Sequence, residues 1–354
     1  MTATPVLAAS EGVAPALASE EVAPARGRVA LAFGAASLLL VVAVIASVVI
    51  GARSVGLEDL VGAVTGHAGT IGEAAITQRL PRTALAIVVG AALAVAGLGL
   101  QAVTRNPLAD PGILGITSGA ALAVVVTITL LGTRAPAAVT TAAIVGAAGA
   151  AGLLFVLSAV GAGGASPLKI VLSGAAISAM SVSVTSALIL PRPDAMEAFR
   201  FWQIGGVGGA DWRSLSWSAP LIGVGLIAAF AMTRSMNALA LGDDLAAGLG
   251  ERLGLARFGI TAAAIVLAGL ATALAGPIAF VGLMVPHACR LIAGPDHRTL
   301  LPLSAITGAA LLVCADVLGR VLLPPAEVEA GIITAIMGAP VLIWIVRSRE
   351  GSVR

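Results

Sequence analysis

The sequence contains little charge and few of the side chains that usually carry out catalysis or bind metals. Only 11% of its 354 residues are charged, whereas about a quarter of an average soluble domain is charged. Hydrophobic residues make up 58% of the chain, and its mean hydropathy is +1.05. This shortage of charge excludes a soluble globular fold and predicts a polytopic membrane protein. The net charge of +2 is too small to predict nucleic-acid binding.

Residues that catalysis would need are also missing. The chain has no tyrosine and a single lysine, Lys169, which lies in the sequence SPLKIV and not in a G-x-x-x-x-G-K-S/T pattern, so a phosphate-binding Walker A motif is absent. The three histidines, His67, His287 and His297, are scattered and predict no metal site. Ser173 has no histidine obviously placed to activate it, and we interpret it as a helix-packing serine. We therefore expect no catalytic residue, no metal and no enzymatic activity.

Ten apolar segments of about the length of a bilayer follow one another along the chain. They lie near 29–51, 83–104, 113–132, 136–160, 168–190, 214–233, 257–276, 277–294, 299–321 and 330–346. The eighth is short and is interrupted by Pro286, but such segments are tolerated when they pack inside protein. Ten segments place both termini on one side, together with twelve of the 20 Lys and Arg residues. By the positive-inside rule, that side is the cytoplasm.

Two stretches outside these segments have their own composition. Residues 1–28 are rich in alanine, proline and glutamate, and we expect a disordered cytoplasmic tail there, followed by a membrane domain over 29–354. The polar loop 235–257 is punctuated by Gly242 and Gly250. That pattern predicts two short cytoplasmic helices broken at these glycines.

The apolar segments lack the charges of an ion-driven carrier. Proton- and sodium-coupled transporters usually bury Asp, Glu or His within their spans, whereas the centres of these segments carry no charged residue. Asp316 comes closest, but Arg320 follows at i+4 and predicts a local ion pair. The sequence therefore favours a permease driven by a separate subunit. A stand-alone secondary carrier stays open as an alternative, and an intramembrane hydrolase is a more distant one.

Several long motifs resemble those of one known family. They are RLPRT (79–83), TRNPLADPGILGITSGA (104–120), ALALGDDLAAGLG (238–250), GPIAFVGLMVPHACRLIAGPDHRTLLP (276–302) and ITAIMGAPVLIWIVR (333–347). In this order they resemble the permease subunits of ABC importers for iron-siderophores, haem and cobalamin, from about residue 30 to the end. Within that family, TRNPLADPG together with FRFWQ looks most like permeases for ferric catecholate siderophores of the enterobactin kind.

The resemblance implies an all-α, ten-helix permease of the type II ABC importer architecture in a bacterial cytoplasmic membrane. Such a subunit moves iron(III)-siderophore complexes into the cytoplasm by alternating access, and haem or cobalamin is the alternative cargo. It pairs with a second permease subunit, identical or different. Two cytoplasmic ATPase subunits bind ATP-Mg, so no cofactor is expected in this chain. A siderophore-binding protein docks from outside.

The resemblance also implies residues for that outer contact. Arg79, Arg82 and Arg320 match outer-face arginines that receive glutamates of the binding protein, and charge-assisted pairs of this kind set orientation as well as affinity. Snorkelling to lipid headgroups is the alternative for these side chains. Glu327 matches an acidic position of the family. Glu329 departs from the family, since many relatives carry proline or another residue there.

Two further sets of residues follow from the resemblance. The stretch at about 237–256 resembles coupling helices that fit a groove on the ATPase. Its expected contacts are Asp243, Asp244, Leu245, Gly248, Leu249, Gly250 and Glu251. The fifth segment is expected to line the translocation pathway through Ser178, Ser181 and Thr185, which share one helical face, with Ser166 near the cytoplasmic gate. Small hydroxyl groups also pack helices together, and that alternative stays open.

Overall fold

The computed structural model describes residues 26–51, 71–159, 167–323 and 326–350, and within these ranges the chain is helical and has no strand. The helices are α1 (Arg26–Val49), α2 (Ile71–Thr104), a 3₁₀ turn (Pro111–Leu114), α3 (Ile116–Leu130), α4 (Pro136–Ala159), α5 (Pro167–Ile189), α6 (Pro193–Ile204), α7 (Trp212–Ala231), α8 (Thr233–Ala240), α9 (Asp243–Gly248), α10 (Leu253–Ala275), α11 (Val281–Ala293), α12 (His297–Leu322) and α13 (Ala330–Glu350). The predicted tail and Ser166 lie outside the described residues, except that 26–28 already form the first turn of α1.

The all-α fold and the order of the ten segments are confirmed. Seven of the described helices are long and apolar enough to cross a membrane, namely α1, α2, α4, α5, α7, α10 and α12, and three shorter apolar helices, α3, α11 and α13, complete the ten. Successive long helices run in opposite directions, which gives the bundle two ends. We call them the α6 end, where α1 and α10 finish, and the α9 end, where α2 and α11 finish.

Helix α2 runs through the centre of the bundle. In its 18-residue apolar stretch, 78% of the residues are buried. The helix packs against α12, α10, α11, α7 and α1. Small residues allow these backbones to touch. A Cβ atom on Gly97 would collide with the carbonyl group of Gly282, and one on Gly90 with the carbonyl group of Gly308. Glycine is therefore required at both crossings of α2.

The predicted interruption of the eighth segment lies at a different place. Helix α11 continues through Pro286, and the chain breaks before it, at Gly276 and Phe280, which both have positive φ. Proline has no N–H to donate to the carbonyl four residues earlier, which here is that of Gly282. The side-chain amide of Gln101 in α2 donates to this carbonyl instead, at 3.1 Å. The helix survives its proline because α2 supplies the missing donor.

Helix α2 also begins earlier than its apolar segment. The prediction placed its start near 83, but the helix begins at Ile71. Arg79 and Arg82 therefore lie in the third and fourth turns rather than at an N-terminus. Hydropathy marks where the apolar surface begins, whereas the helix continues wherever neighbouring elements cover it, as they cover the fully buried Ile76.

We expect Gly97→Ala to destabilise the protein by about 1–3 kcal/mol, because its methyl group has no space and backbone must move. The matched change Gly223→Ala in α7, where an added Cβ meets no atom within 4 Å, should be neutral or stabilising by up to about 1 kcal/mol. The thermal unfolding midpoints of the two detergent-solubilised variants provide the measurement. Equal midpoints would contradict the close crossing of α2 and α11.

Candidate functional sites at the two ends of the bundle

At the α6 end, two arginines lie on the carboxyl terminus of α1. Arg79 Nη1 donates to the carbonyl oxygens of Val48 and Val49, at 2.9 and 3.1 Å. Arg320 Nη1 donates to the carbonyl oxygen of Ser47, at 2.9 Å. The last carbonyls of a helix lack partners within it, and a helix C-terminus carries partial negative charge. The two guanidinium groups therefore cap α1.

Asp316 of α12 joins Arg320 to a third arginine, Arg82. Its Oδ1 accepts from Arg82 Nε at 2.8 Å and lies 2.7 Å from Arg82 Nη2, while its Oδ2 lies 3.1 Å from Nη2 of Arg320. Arg82 also donates to Glu327 Oε2, at 2.6 Å. Because Asp316 is only 1% exposed, its charge is stabilised by these cations rather than by water. We call Arg79, Arg82, Arg320, Asp316 and Glu327 the α1-capping network.

The predicted docking arginines are thus already bound within this chain. Arg79 and Arg320 are 8% and 2% exposed, and the side chain of Arg82 is 13% exposed. Of the four predicted docking residues, Glu327 has the most accessible side chain, at 40%. The prediction that Asp316 and Arg320 form a local ion pair is confirmed. No signal pointed to the carbonyls of α1, which are more than 200 residues from Arg320. A docking role for these residues stays a prediction.

At the α9 end, two arginines hold one carboxylate. Arg257 of α10 donates from Nη2 to both oxygens of Asp243, each at 2.8 Å, and Arg105, directly after α2, pairs with Asp243 Oδ1. Arg105 Nε also donates to the carbonyl oxygen of Leu239 in α8, at 2.7 Å. These bonds fasten α8 and α9 to the ends of α2 and α10. We call Arg105, Asp243 and Arg257 the α9 clamp.

The clamp also explains the charge state of its carboxylate. The hydrogen bond from Arg257, assisted by that from Arg105, holds the pKa of Asp243 below its usual value. Sequence reasoning assigned Asp243 to a partner and missed both arginines. The sequence offered a signal only for Arg257, which stands where α10 meets the loop containing Asp243; Arg105 is 138 positions from Asp243.

The remaining predicted coupling residues mostly point away from the bundle. Helices α8 and α9 are broken at Gly242 and Gly250, both with positive φ, so the prediction of two short helices is confirmed. Leu245 and Leu249 are exposed. Asp244 and Gly248 are exposed as well, whereas Glu251 accepts a hydrogen bond from Ser235, at 2.7 Å. The result is an uncovered apolar surface on a short helix that the clamp fixes in place.

The predicted pathway residues of α5 face the protein's own interior. Ser181 and Thr185 are 2% and 8% exposed, and Ser178 is partly covered. The open face of α5 instead carries Ser183 and Ser186, whose hydroxyl groups donate to carbonyls one turn earlier in the same helix. Within this chain, Ser178, Ser181 and Thr185 are therefore placed as packing residues, and their role in a pathway stays a prediction.

Comparison with known proteins identifies the family. The profile of the FecCD transport family matches residues 39–348. The chain belongs to the FecCD transport family. It is 40% identical to the probable siderophore transport system permease protein YfiZ of Bacillus subtilis (strain 168), over 87% of this chain and 93% of that protein. It is 38% identical to the ferric enterobactin transport system permease protein FepD of Escherichia coli (strain K12), over 88% and 93%. The hemin transport system permease protein HmuU of Yersinia pestis is 37% identical, over 90% and 96%.

A solved structure supports the same assignment. A chain described as an inward-facing conformation of a metal-chelate type ABC transporter matches with a TM-score of 0.79 at 27% identity, over 90% of this chain and 99% of that chain. The family resemblance and the permease fold predicted from the sequence are both confirmed. As a FecCD family member, the chain is a multi-pass membrane transport subunit. Within its described ranges, no cluster of three or more His, Cys, Asp or Glu residues is placed to hold a metal ion.

We expect Asp316→Asn to destabilise the protein by about 3–5 kcal/mol, because it leaves two buried guanidinium groups without their common counter-charge. The control is Glu327→Gln, which removes the more exposed partner of Arg82 and should cost less than about 1 kcal/mol. Thermal unfolding of the purified variants measures both. An Asp316→Asn variant as stable as Glu327→Gln would show that the α1-capping network does not stabilise the fold.

The pKa of Asp243 makes a second prediction at the α9 end. Because the folded-state pKa of Asp243 is lowered, the stabilisation that the clamp gives α9 should be fully present above the ordinary pKa of 3.8. It should be lost as the pH falls through the lower pKa of the folded state. Hydrogen exchange of the α9 amides, relative to those of α10, should therefore be protected equally between about pH 5 and 8. Asp243→Asn should lose this protection at every pH. Loss of protection in the wild type between pH 5 and 8 would contradict the assignment.

Proposed function

We propose that this chain is the permease subunit of an ATP-driven ABC importer that carries iron(III)-siderophore complexes into the cytoplasm by alternating access. The observation that carries this proposal is the identity of 38–40% to siderophore and ferric enterobactin permeases over nearly nine-tenths of the chain. HmuU, at 37%, makes haem the alternative cargo within the same architecture.

The two ends then have opposite partners. The α9 end faces the cytoplasm with both termini, as the distribution of arginines favours, in a bacterial cytoplasmic membrane. There, Leu245 and Leu249 insert into a groove of an ATPase subunit, with Asp244, Gly248, Gly250 and Glu251 around them. Two such subunits bind ATP-Mg, one under each permease of a pair, and this chain contributes no nucleotide site.

The clamp explains how a short helix can transmit force. Arg257 in α10 and Arg105, directly after α2, both hold Asp243, which couples the movement of α9 to that of α2 and α10. The role of Asp243 is therefore positioning, while its neighbours contact the ATPase. Differential contacts with the ATPase in its ATP-bound and empty states would then shift the bundle between outward-facing and inward-facing forms.

The α6 end faces outside and receives the extracytoplasmic binding protein. Arg82 and Glu327 lie at the accessible edge of the α1-capping network and are the members best placed to exchange partners with it. Arg79 and Arg320 support that edge from below by holding α1. A second permease subunit completes the pathway beside α5, whose described residues leave one helix face uncovered.

Uptake of radiolabelled iron tests the cargo. Cells lacking this gene, with and without its restored copy, should differ in uptake of ferric enterobactin, with ferric hydroxamates, haem and cobalamin measured in parallel. Loss of haem or cobalamin uptake alone would contradict the siderophore assignment and keep the importer. In the same cells, Leu245→Asp with Leu249→Asp should abolish uptake and co-purification of the ATPase, whereas Leu245→Met with Leu249→Met should keep both. Transport by the purified chain alone would instead indicate a secondary carrier.

A further inference from the structure

A cavity of about 70 Å³ lies where the connection after α2 meets the connection before α11. Asp110 lines it from the first connection and Ala279 from the second, and Gly282 in the first turn of α11 forms a further wall. Gly282 packs directly on Gly97 of α2. Gly97 stands seven residues before the end of α2, so at about 1.5 Å of rise per residue this wall lies roughly 10 Å from the α9 end of that helix. Both connections therefore fold back to the depth of the apolar helices.

Asp110 gives this cavity its charge, and it is the only charged side chain among the described residues of the lining. Its Oδ1 accepts from Gly112 N–H at 2.8 Å, and it forms no ion pair within the described ranges. Arg105, directly after α2, is held in the α9 clamp, and Arg290 of α11 donates to Gln101. A carboxylate at membrane depth is costly without a counter-charge. The cavity therefore carries one negative charge that the described residues do not offset.

Neutral oxygen atoms surround this charge. Thr117 of α3 and Thr272 of α10 line the cavity, and neither hydroxyl group forms a hydrogen bond with the described residues, although Thr272 is only 3% exposed. Ile278 and Ala279 contribute backbone that is not helical, and no described donor reaches their carbonyl oxygens. Irregular backbone at membrane depth is tolerated where it lines a polar cavity. Unwound carbonyls of this kind coordinate Na⁺ in membrane carriers.

Charge and volume favour a small monovalent cation. Carboxylate, carbonyl and water oxygens suit hard cations, but Ca²⁺ sites usually combine several carboxylates, and this cavity has one. A single positive charge neutralises Asp110, whereas a divalent ion would leave an excess. One water needs roughly 10–15 Å³ of such a cavity, so there is space for an ion and a few waters. Gly112 and Ala279 are exposed and give the ion a path to the site.

We propose that the Asp110 cavity binds one sodium ion. The carboxylate of Asp110 and the hydroxyl groups of Thr117 and Thr272 hold it, together with the backbone carbonyls at 278–279. The ion joins the 3₁₀ turn after α2 to the unwound stretch before α11, two connections that no hydrogen bond of the described residues links. The site stabilises the permease domain whichever cargo it carries.

Thermal unfolding of the purified full-length chain in detergent tests this site. NaCl should raise the unfolding midpoint by about 2–5 °C relative to N-methyl-D-glucamine chloride at equal ionic strength, because an ion that binds the folded chain stabilises it. KCl should raise the midpoint less, because its larger ion fits the cavity less well. Equilibrium binding of radiolabelled sodium should saturate at a single ion per chain.

Three variants locate the ion. Asp110→Asn removes the charge but still accepts from Gly112 N–H, and it should lose both the midpoint shift and the bound sodium. Thr272→Val, which removes a hydroxyl group at nearly constant volume, should need about tenfold more Na⁺ for half of the shift. Asp211→Asn is the matched control, since this exposed carboxylate also accepts a backbone N–H, that of Ser214 at 2.8 Å. It should keep the full response to Na⁺.

Several results would overturn the proposal. A wild-type midpoint that is independent of Na⁺, with no sodium bound, would leave Asp110 as a hydrated carboxylate. Equal shifts in NaCl and KCl would indicate a general effect of salt. An unchanged response of Asp110→Asn would place the ion elsewhere. If Asp110→Asn does not fold, wild-type sodium affinity of Thr272→Val would contradict the site.

Discussion

The structure depends on the fixation of α2 by arginine side chains at both of its ends. Near its start, Arg79 and Arg82 connect it to α1 and α12, and just after its end, Arg105 connects it to α8 and α9. Between these points, glycines bring α2 into direct backbone contact with α11 and α12. We expect a helix held along its whole length in this way to move as one body. It therefore joins the surface proposed for the ATPase to the surface proposed for the binding protein.

Much of this fold could be predicted from sequence because it follows from length and apolarity. The ten segments and their order were predicted from length and apolarity. The breaks at Gly242 and Gly250 were predicted from the glycines themselves, which adopt positive φ. The break before α11 was predicted at Pro286, but the helix continues through this proline. Gln101, 185 positions earlier in the chain, supplies the hydrogen bond that Pro286 cannot donate to the carbonyl oxygen of Gly282. A single sequence shows that a proline removes a hydrogen bond, but not which distant side chain replaces it.

The functional residues were predicted less well, for a related physical reason. A charged side chain near a membrane surface can meet a partner protein, a lipid or another part of its own chain, and its sequence neighbourhood is the same in each case. Arg79, Arg320 and Asp243 were all assigned to partners, and all three are held inside this chain. Glu329, which departs from the family pattern, accepts no side-chain hydrogen bond from the described residues, and Arg82 attracts its charge.

Pulsed electron–electron double resonance tests the central claim, that α9 and α2 move together, most directly. Spin labels at Gln78 in α2 and Ala247 in α9, both exposed, would be introduced after replacing Cys289 and Cys314 with serine. When ATP binds to the reconstituted importer, the distance between these labels should stay constant, while the distance between the Ala247 labels of the two permease subunits changes. A change of several ångströms within one subunit would contradict the account.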